Sequence, residues 1–141
     1  MKSGWEDEFN NEKAMYMQMK ARQGDVIPIL YGKAKCERAR ALLVSFIDGV
    51  RLSQVTNLTV EEVRRKIEDA FLPLKHYGVV PVDIKLDNFI LSDNGIVIID
   101  LEQVYEPVVP REIEYTADSV MDTVLNYYKM NKKTVDMGYN W

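Results

Sequence analysis

Two short runs of β-branched and apolar residues flank an Asn-Gly pair in the segment NFILSDNGIVIID, residues 88–100. Asparagine and glycine tolerate the positive φ that a tight turn requires, and β-branched residues favour extended strands. The segment therefore predicts a β-hairpin with its turn at Asn94-Gly95. Because Asp100 ends the second strand, the hairpin returns it to a position beside Asn88.

The segment NLTVEEVRRKIEDAFLPLKHYG, residues 57–78, predicts the clearest helix of the chain. Thr59 and Glu62 have the spacing of a capping box, and the apolar residues that follow repeat with a helical period. Pro73 lies inside this segment and has no backbone N–H to donate, so we expect a kink or an altered last turn.

Three other segments complete the predicted elements. Residues 6–22 predict a helix whose acidic start and basic end suit the helix dipole, and residues 39–49 predict a strand that ends at Asp48-Gly49. A last helix is expected through about residue 130, followed by a polar tail. The order of helices and strands predicts an α+β fold in a single domain.

Composition excludes several classes of protein. The chain has 141 residues with 47% hydrophobic and 28% charged residues, which is typical of a globular domain. Its net charge of −4 disfavours a nucleic-acid binder, and the single cysteine excludes an internal disulfide. No apolar run is long enough to span a bilayer and the start has no signal-peptide pattern, so we expect no membrane association and a cytoplasmic or otherwise intracellular location.

The polar residues around the predicted hairpin suit phosphoryl transfer. Asp83 can orient a hydroxyl and accept its proton, and Lys85 can offset the charge of a transferred phosphoryl group. Asn88 and Asp100 offer oxygen ligands for magnesium. Alone, the Asp-x-Lys-x-x-Asn pattern is weak, since an Asx turn would also explain it. His76 lies close enough in sequence to suggest a general base, but its place at the helix end favours a capping or partly buried role.

The segment HYGVVPVDIKLDNFILSDNGIVIIDLE, residues 76–102, resembles the catalytic loop and metal-binding segment of the protein kinase-like superfamily. It is most similar to the compact, divergent kinase-like proteins common in fungi. By this resemblance Asp83 is the catalytic-loop aspartate and Lys85 its lysine, while Asn88 and Asp100 bind magnesium. The implied fold is a reduced kinase-like domain, with a small-lobe remnant and hinge at 1–50, a large-lobe core at 51–130 and a tail at 131–141.

The same resemblance extends upstream to the nucleotide site. Residues 10–32 resemble helix C and the strand after it, so that Glu12 matches the glutamate that pairs with the nucleotide-binding lysine. Lys2 is the candidate for that lysine. Ser45, Phe46 and Ile47 match the hinge that contacts adenine, so the implied cofactors are ATP and magnesium.

Departures from the superfamily pattern leave three interpretations open. No glycine-rich loop is present, and Pro81-Val82 stand where His-Arg or His-Gly is usual. These departures favour a degenerate pseudokinase or regulatory module with weak or no ATP and magnesium binding. The alternative is an active phosphotransferase that uses Asp83. A third interpretation is a fragment of a longer kinase, which a glycine-rich loop encoded upstream of Met1 would reveal.

A truncated small lobe also has a consequence for partners. Without its outer strands it would expose a sheet edge, and an exposed edge is a ready surface for another chain. We therefore expect a protein partner or a second copy at that edge, in addition to a nucleotide.

Overall fold

The computed structural model describes residues 4–36, 39–81, 85–99, 104–105 and 111–136, and the statements below refer to these residues. They form three α-helices and three small antiparallel groups of strands, which confirms the α+β expectation. The predicted site residues Lys2, Asp83 and Asp100 lie outside the described ranges.

The first helix, α1, spans Gly4–Gln18 and is followed by a 3₁₀ turn at Lys20–Arg22. The single helix predicted for residues 6–22 is therefore interrupted at Met19. Gln23 explains how the chain turns here: its side-chain amide donates to the carbonyl of Tyr16 at 2.9 Å, and its side-chain oxygen accepts the amide of Leu30, also at 2.9 Å. A side chain 7 residues away from both partners thus links the end of α1 to the first strand.

Strands β1 (Leu30–Cys36) and β2 (Ala39–Val44) form an antiparallel hairpin with Lys33 opposite Leu42. The strand predicted for residues 39–49 is confirmed, but it ends at Val44 rather than at Asp48. Ser45 closes the hairpin, because its amide donates to the carbonyl of Ile29 and its hydroxyl accepts the amide of Ile29, both at 2.9 Å. Residues 46–48 then leave the strand pairing.

Helix α2 spans Val60–His76 and begins with the predicted capping box. The amide of Glu62 donates to Oγ1 of Thr59 at 3.1 Å, which satisfies one of the donors left free at a helix start. Pro73 lies within the last turn, and the helix continues past it to His76.

The end of α2 is a Schellman motif. Gly78 has a φ of 75° and donates its amide to the carbonyl of Lys75, while Val79 donates to the carbonyl of Leu74. Leu74 and Val79 are both buried, which supplies the apolar contact that usually accompanies this motif. The helix therefore ends because glycine adopts a left-handed conformation there.

Strands β5 (Phe89–Ser92) and β6 (Gly95–Ile98) form the hairpin predicted from the sequence. Its turn residues are 93 and 94 rather than Asn94-Gly95, and Gly95 begins the second strand with a φ of 123°. This register places Phe89 opposite Ile98, and both side chains are buried. Since a shift of strand pairing moves side chains away from the core, burial determines which residues form the turn.

Two short strand pairs complete the sheets. Strand β3 (Val50–Arg51) pairs antiparallel with β5, and strand β4 (Val80–Pro81) pairs antiparallel with β7 (Val104–Tyr105). The pairing of β3 matters for function, because it attaches the segment that follows residues 45–49 to the hairpin that follows Asn88.

The third helix, α3, spans Arg111–Asp136 and packs mainly against α2. It was predicted to end near residue 130, but three side-chain donors hold its last turns in place. Tyr128 and Lys132 donate to the carbonyl of Leu58 at 2.7 and 2.9 Å, and Asn131 donates to the carbonyl of Ser53 at 2.6 Å. No helix in the described part of the chain is both long and apolar enough to cross a membrane.

Candidate functional site

A 3₁₀ turn at Leu86–Asn88 joins the polar loop to strand β5. Lys85 precedes this turn and is exposed, whereas Asn88 at its end is buried. The backbone of Asn88 is held on both sides: its amide donates to the carbonyl of Lys85 at 3.0 Å, and its carbonyl accepts the amide of Ile99 at 2.9 Å. Asn88 is thus bonded to the residue that directly precedes Asp100 in the chain.

Buried polar groups usually have hydrogen-bond partners, and the side chain of Asn88 is an exception. The residue is 8% exposed, and its Nδ2 atom has no hydrogen-bond partner. Most buried polar side-chain atoms have a partner, and leaving one without costs about 1–3 kcal/mol. The unpartnered atom is a hydrogen-bond donor, so it can donate to an acceptor but cannot itself bind a metal ion.

A cleft of about 650 Å³ opens between α1, the end of the first hairpin and the β3–β5 pair. Its volume lies within the range of small-molecule sites, about 300–1,000 Å³. The polar residues that line it are Glu12, Ser45 and Arg51, and its apolar wall includes Tyr16, Pro28, Val44, Phe46, Ile47, Ile90 and Ile99. We call this the large cleft.

The large cleft brings together residues that are far apart in sequence. Glu12 comes from α1 and Ser45, Phe46 and Ile47 come from the segment after β2, and all four were singled out from the sequence. Ile99 lines the cleft and also donates its amide to Asn88, so the cleft adjoins the polar loop.

Arg51, Ile90 and Gly49 also line the large cleft, and sequence reasoning missed them as site residues. In the sequence, these residues are indicated only by lying close to residues that were predicted to belong to the site. Pairing of β3 with β5 decides their place, since it sets Arg51 opposite Ile90.

A second cleft of about 400 Å³ lies beside the 3₁₀ turn at Leu86–Asn88 and was not anticipated from the sequence. Its lining consists of Ser53, Lys85, Leu86, Asp87, Tyr127 and Asn131. We call this the loop cleft. No local pattern connects Tyr127 and Asn131 with Lys85, because only the packing of α3 brings them together.

Lys13 on α1 lies near two basic residues of the first hairpin, Lys33 and Arg40. The charge of Lys33 is the main reason that the pKa of Lys13 lies below its usual value, with smaller contributions from a hydrogen bond to Lys33, burial and Arg40. The guanidinium of Arg40 lies 5.7 Å from the ring centre of Phe9, within the range of a cation–π contact.

Metal-binding clusters are absent from the part of the chain that the structure describes, since no group of three or more His, Cys, Asp or Glu side chains is placed to hold an ion. A third cleft of about 320 Å³, beside the second hairpin turn, is lined by Asp25, Lys66, Asp69 and Asp93 but by none of the predicted site residues.

The family model for lipopolysaccharide core biosynthesis protein (WaaY) matches residues 34–139. The chain belongs to the WaaY family. No curated protein matches its sequence. The WaaY match covers residues 45–47, Lys85, Asn88, strand β2, the second hairpin and all of α3, whereas α1 with Glu12 and the first residues of β1 lie before it.

This membership corrects one expectation. The chain was assigned by resemblance to the compact kinase-like proteins common in fungi, and that assignment is wrong, since the matching family is one of lipopolysaccharide core biosynthesis. The function predicted for the motif from Asp83 to Asn88, with its hairpin, is to bind metal and phosphate. Families that share that chemistry share the motif, so it does not distinguish one family from another.

Proposed function

We propose that this WaaY-family chain is a kinase-like phosphotransferase that binds ATP with magnesium and phosphorylates a sugar hydroxyl of the lipopolysaccharide core. The observation that carries the proposal is the large cleft, where Glu12 and residues 45–47 line one cavity with Ile99, whose amide donates to the carbonyl of Asn88. Family membership supports a biosynthetic role on the lipopolysaccharide core.

In this proposal the nucleotide base lies against the segment after β2. Phe46 and Ile47 supply apolar surface to an adenine, and Ser45 lies where the hairpin is closed by its hydrogen bonds to Ile29. A base site on such a closed hairpin is better ordered than one on a free loop. Glu12 is the proposed partner of Lys2, the candidate phosphate-binding lysine.

Magnesium fits the donor set of the loop. The side chain of Asn88 is buried and offers an amide oxygen, and Asp100 follows directly after Ile99, which bonds to the backbone of Asn88. Amide and carboxylate oxygens are ligands that magnesium prefers, so Asn88 and Asp100 are the proposed ligands. When bound, the ion would offset the negative charge of the nucleotide phosphates.

The reaction assigned to the loop is a transfer of the γ-phosphoryl group. The bond from the γ-phosphorus to the β-phosphate oxygen breaks, and a bond to the acceptor oxygen forms. Asp83 orients the acceptor hydroxyl and takes its proton. Lys85 offsets the charge on the transferred group.

A binding module without catalysis is the second candidate. Pro81 and Val82 stand where the kinase-like superfamily has His-Arg or His-Gly, and this departure favours impaired chemistry. In that case the large cleft would bind nucleotide weakly or not at all, and the protein would act through a partner.

Calorimetry of ATP binding, with and without magnesium, tests the proposal. We compare the native chain with Asp100→Asn, and use Asp93→Asn in the exposed hairpin turn as the matched control. Magnesium-dependent binding that Asp100→Asn loses and Asp93→Asn retains would support the site. No heat at millimolar ATP, from a folded sample, would rule out the phosphotransferase.

Turnover separates the two candidates. The native chain is incubated with radiolabelled ATP, magnesium and dephosphorylated core oligosaccharide. Label in the oligosaccharide is the expected result for a phosphotransferase, whereas magnesium-dependent ATP binding without transfer would favour the binding module.

A further inference from the structure

The loop cleft and the large cleft are lined by nearby residues of the same two chain segments. Arg51 lines the large cleft and Ser53 lines the loop cleft, and only one residue lies between them. In the segment that pairs with β3, Asp87 of the 3₁₀ turn lines the loop cleft and Ile90 of β5 lines the large cleft. Since a chain spans at most about 3.3–3.6 Å per residue, the two clefts lie close together.

Hydrogen bonds connect the elements that line the loop cleft. Asn131 donates from α3 to the carbonyl of Ser53, and the hydroxyl of Ser53 donates to Oδ1 of Asp87. These bonds join α3, the 3₁₀ turn at Leu52–Gln54 and the turn at Leu86–Asn88 into one unit. Binding residues held in this way lose little freedom when a ligand arrives.

The lining of the loop cleft has the chemistry of a sugar site. Tyr127 is 44% exposed, so part of its ring is open to an apolar sugar face. Asp87, Asn131 and Ser53 place carboxylate, amide and hydroxyl groups around it, which can accept from and donate to several hydroxyls. Lys85 places the proposed catalytic cation in the same cleft.

We propose that the loop cleft is the acceptor subsite, in which a core sugar packs against Tyr127 and presents a hydroxyl towards Lys85. The assignment rests on the proposed phosphotransferase function. It names α3, through Tyr127, as the element that selects the acceptor. The nucleotide and the sugar would then bind in neighbouring clefts.

Substitution of Tyr127 tests this subsite without touching the nucleotide site. The probe is dephosphorylated oligosaccharide released from lipopolysaccharide by mild acid, with binding measured by saturation-transfer NMR titration. We expect Tyr127→Ala to weaken oligosaccharide binding at least about tenfold, which corresponds to roughly 1.4 kcal/mol. Tyr127→Phe keeps the ring and should bind within about threefold of the native chain, a difference of roughly 0.6–0.7 kcal/mol.

Tyr115→Ala is the matched control, because Tyr115 lies on the same helix, is 79% exposed and does not line the loop cleft. Oligosaccharide binding that Tyr115→Ala retains and Tyr127→Ala loses would support the subsite. Equal losses in both alanine variants, or no loss in Tyr127→Ala, would overturn it, as would a native chain that binds ATP but no oligosaccharide.

Calorimetric measurement of ATP binding by the same variants distinguishes failure of the acceptor subsite from failure of the proposed phosphotransferase function. Tyr127→Ala should retain the native affinity for ATP with magnesium. A chain that binds the oligosaccharide through Tyr127 but binds no ATP would support the subsite and refute the proposed phosphotransferase.

Discussion

Replacement of Asn88 by leucine should make the protein more stable while removing its metal-dependent binding of nucleotide. Leucine has the same branched shape as asparagine, so no large cavity or clash is created. The change removes the buried Nδ2 that has no hydrogen-bond partner, a cost of about 1–3 kcal/mol. Allowing for relaxation around the site, we expect the free energy of unfolding to rise by about 1–2 kcal/mol, or roughly 4 °C in Tm per kcal/mol.

Urea unfolding followed by circular dichroism measures the stability, and calorimetry with ATP and magnesium measures the binding. Asn131→Leu is the matched control for stability. Its side chain donates to the carbonyl of Ser53 at 2.6 Å, so the same substitution there removes a hydrogen bond and leaves an acceptor unpaired. We expect Asn131→Leu to lower the free energy of unfolding by about 1 kcal/mol, opposite in sign to Asn88→Leu.

A loss of stability in Asn88→Leu, together with unchanged magnesium-dependent binding of ATP, would refute the reasoning. Asn88 would then be a structural residue whose amide is satisfied within the protein. A gain in stability with unchanged ATP binding would contradict the metal-ligand role alone.

Two other substitutions have outcomes that the structure determines. Gly49→Ala would place a Cβ against the backbone carbonyl of Leu91, so we expect it to displace β3 and weaken calorimetric ATP binding at least about tenfold, roughly 1.4 kcal/mol. Gly32→Ala meets open space and should leave ATP binding unchanged. Thr59→Ala removes the cap of α2 and should cost about 1 kcal/mol in urea unfolding, whereas the same change at exposed Thr56 should cost less than about 0.5 kcal/mol.

Elements governed by local rules were predicted well. Helix α2 begins at the predicted capping box, because the Thr59 and Glu62 side chains satisfy the backbone within one turn. The second hairpin was also predicted, but its turn lies one residue earlier, since burial of Phe89 opposite Ile98 outweighs the preference of Asn94-Gly95 for the turn.

The residues of the candidate site also differ in whether the sequence alone could predict them. The candidates Asp83, Lys85 and Asn88 could be selected from the sequence, because the proposed phosphoryl transfer needs such groups close together in one short loop. The large cleft also contains Glu12 and the segment after β2, which resemblance had indicated. Tyr127 was not identifiable, since an aromatic residue on an amphipathic helix is ordinarily part of the core.

The sequence by itself determined the start of α2, the second hairpin and the order of polar residues around the loop, because each depends on neighbours in the chain. Only the tertiary structure decided where α1 breaks, which residues form the second turn and how far α3 extends. These depend on distant partners: Gln23 joins α1 to β1, and Asn131 bonds to Ser53, which lies 78 residues away. A contact between residues so far apart leaves no local pattern, so the loop cleft exists only in the folded chain.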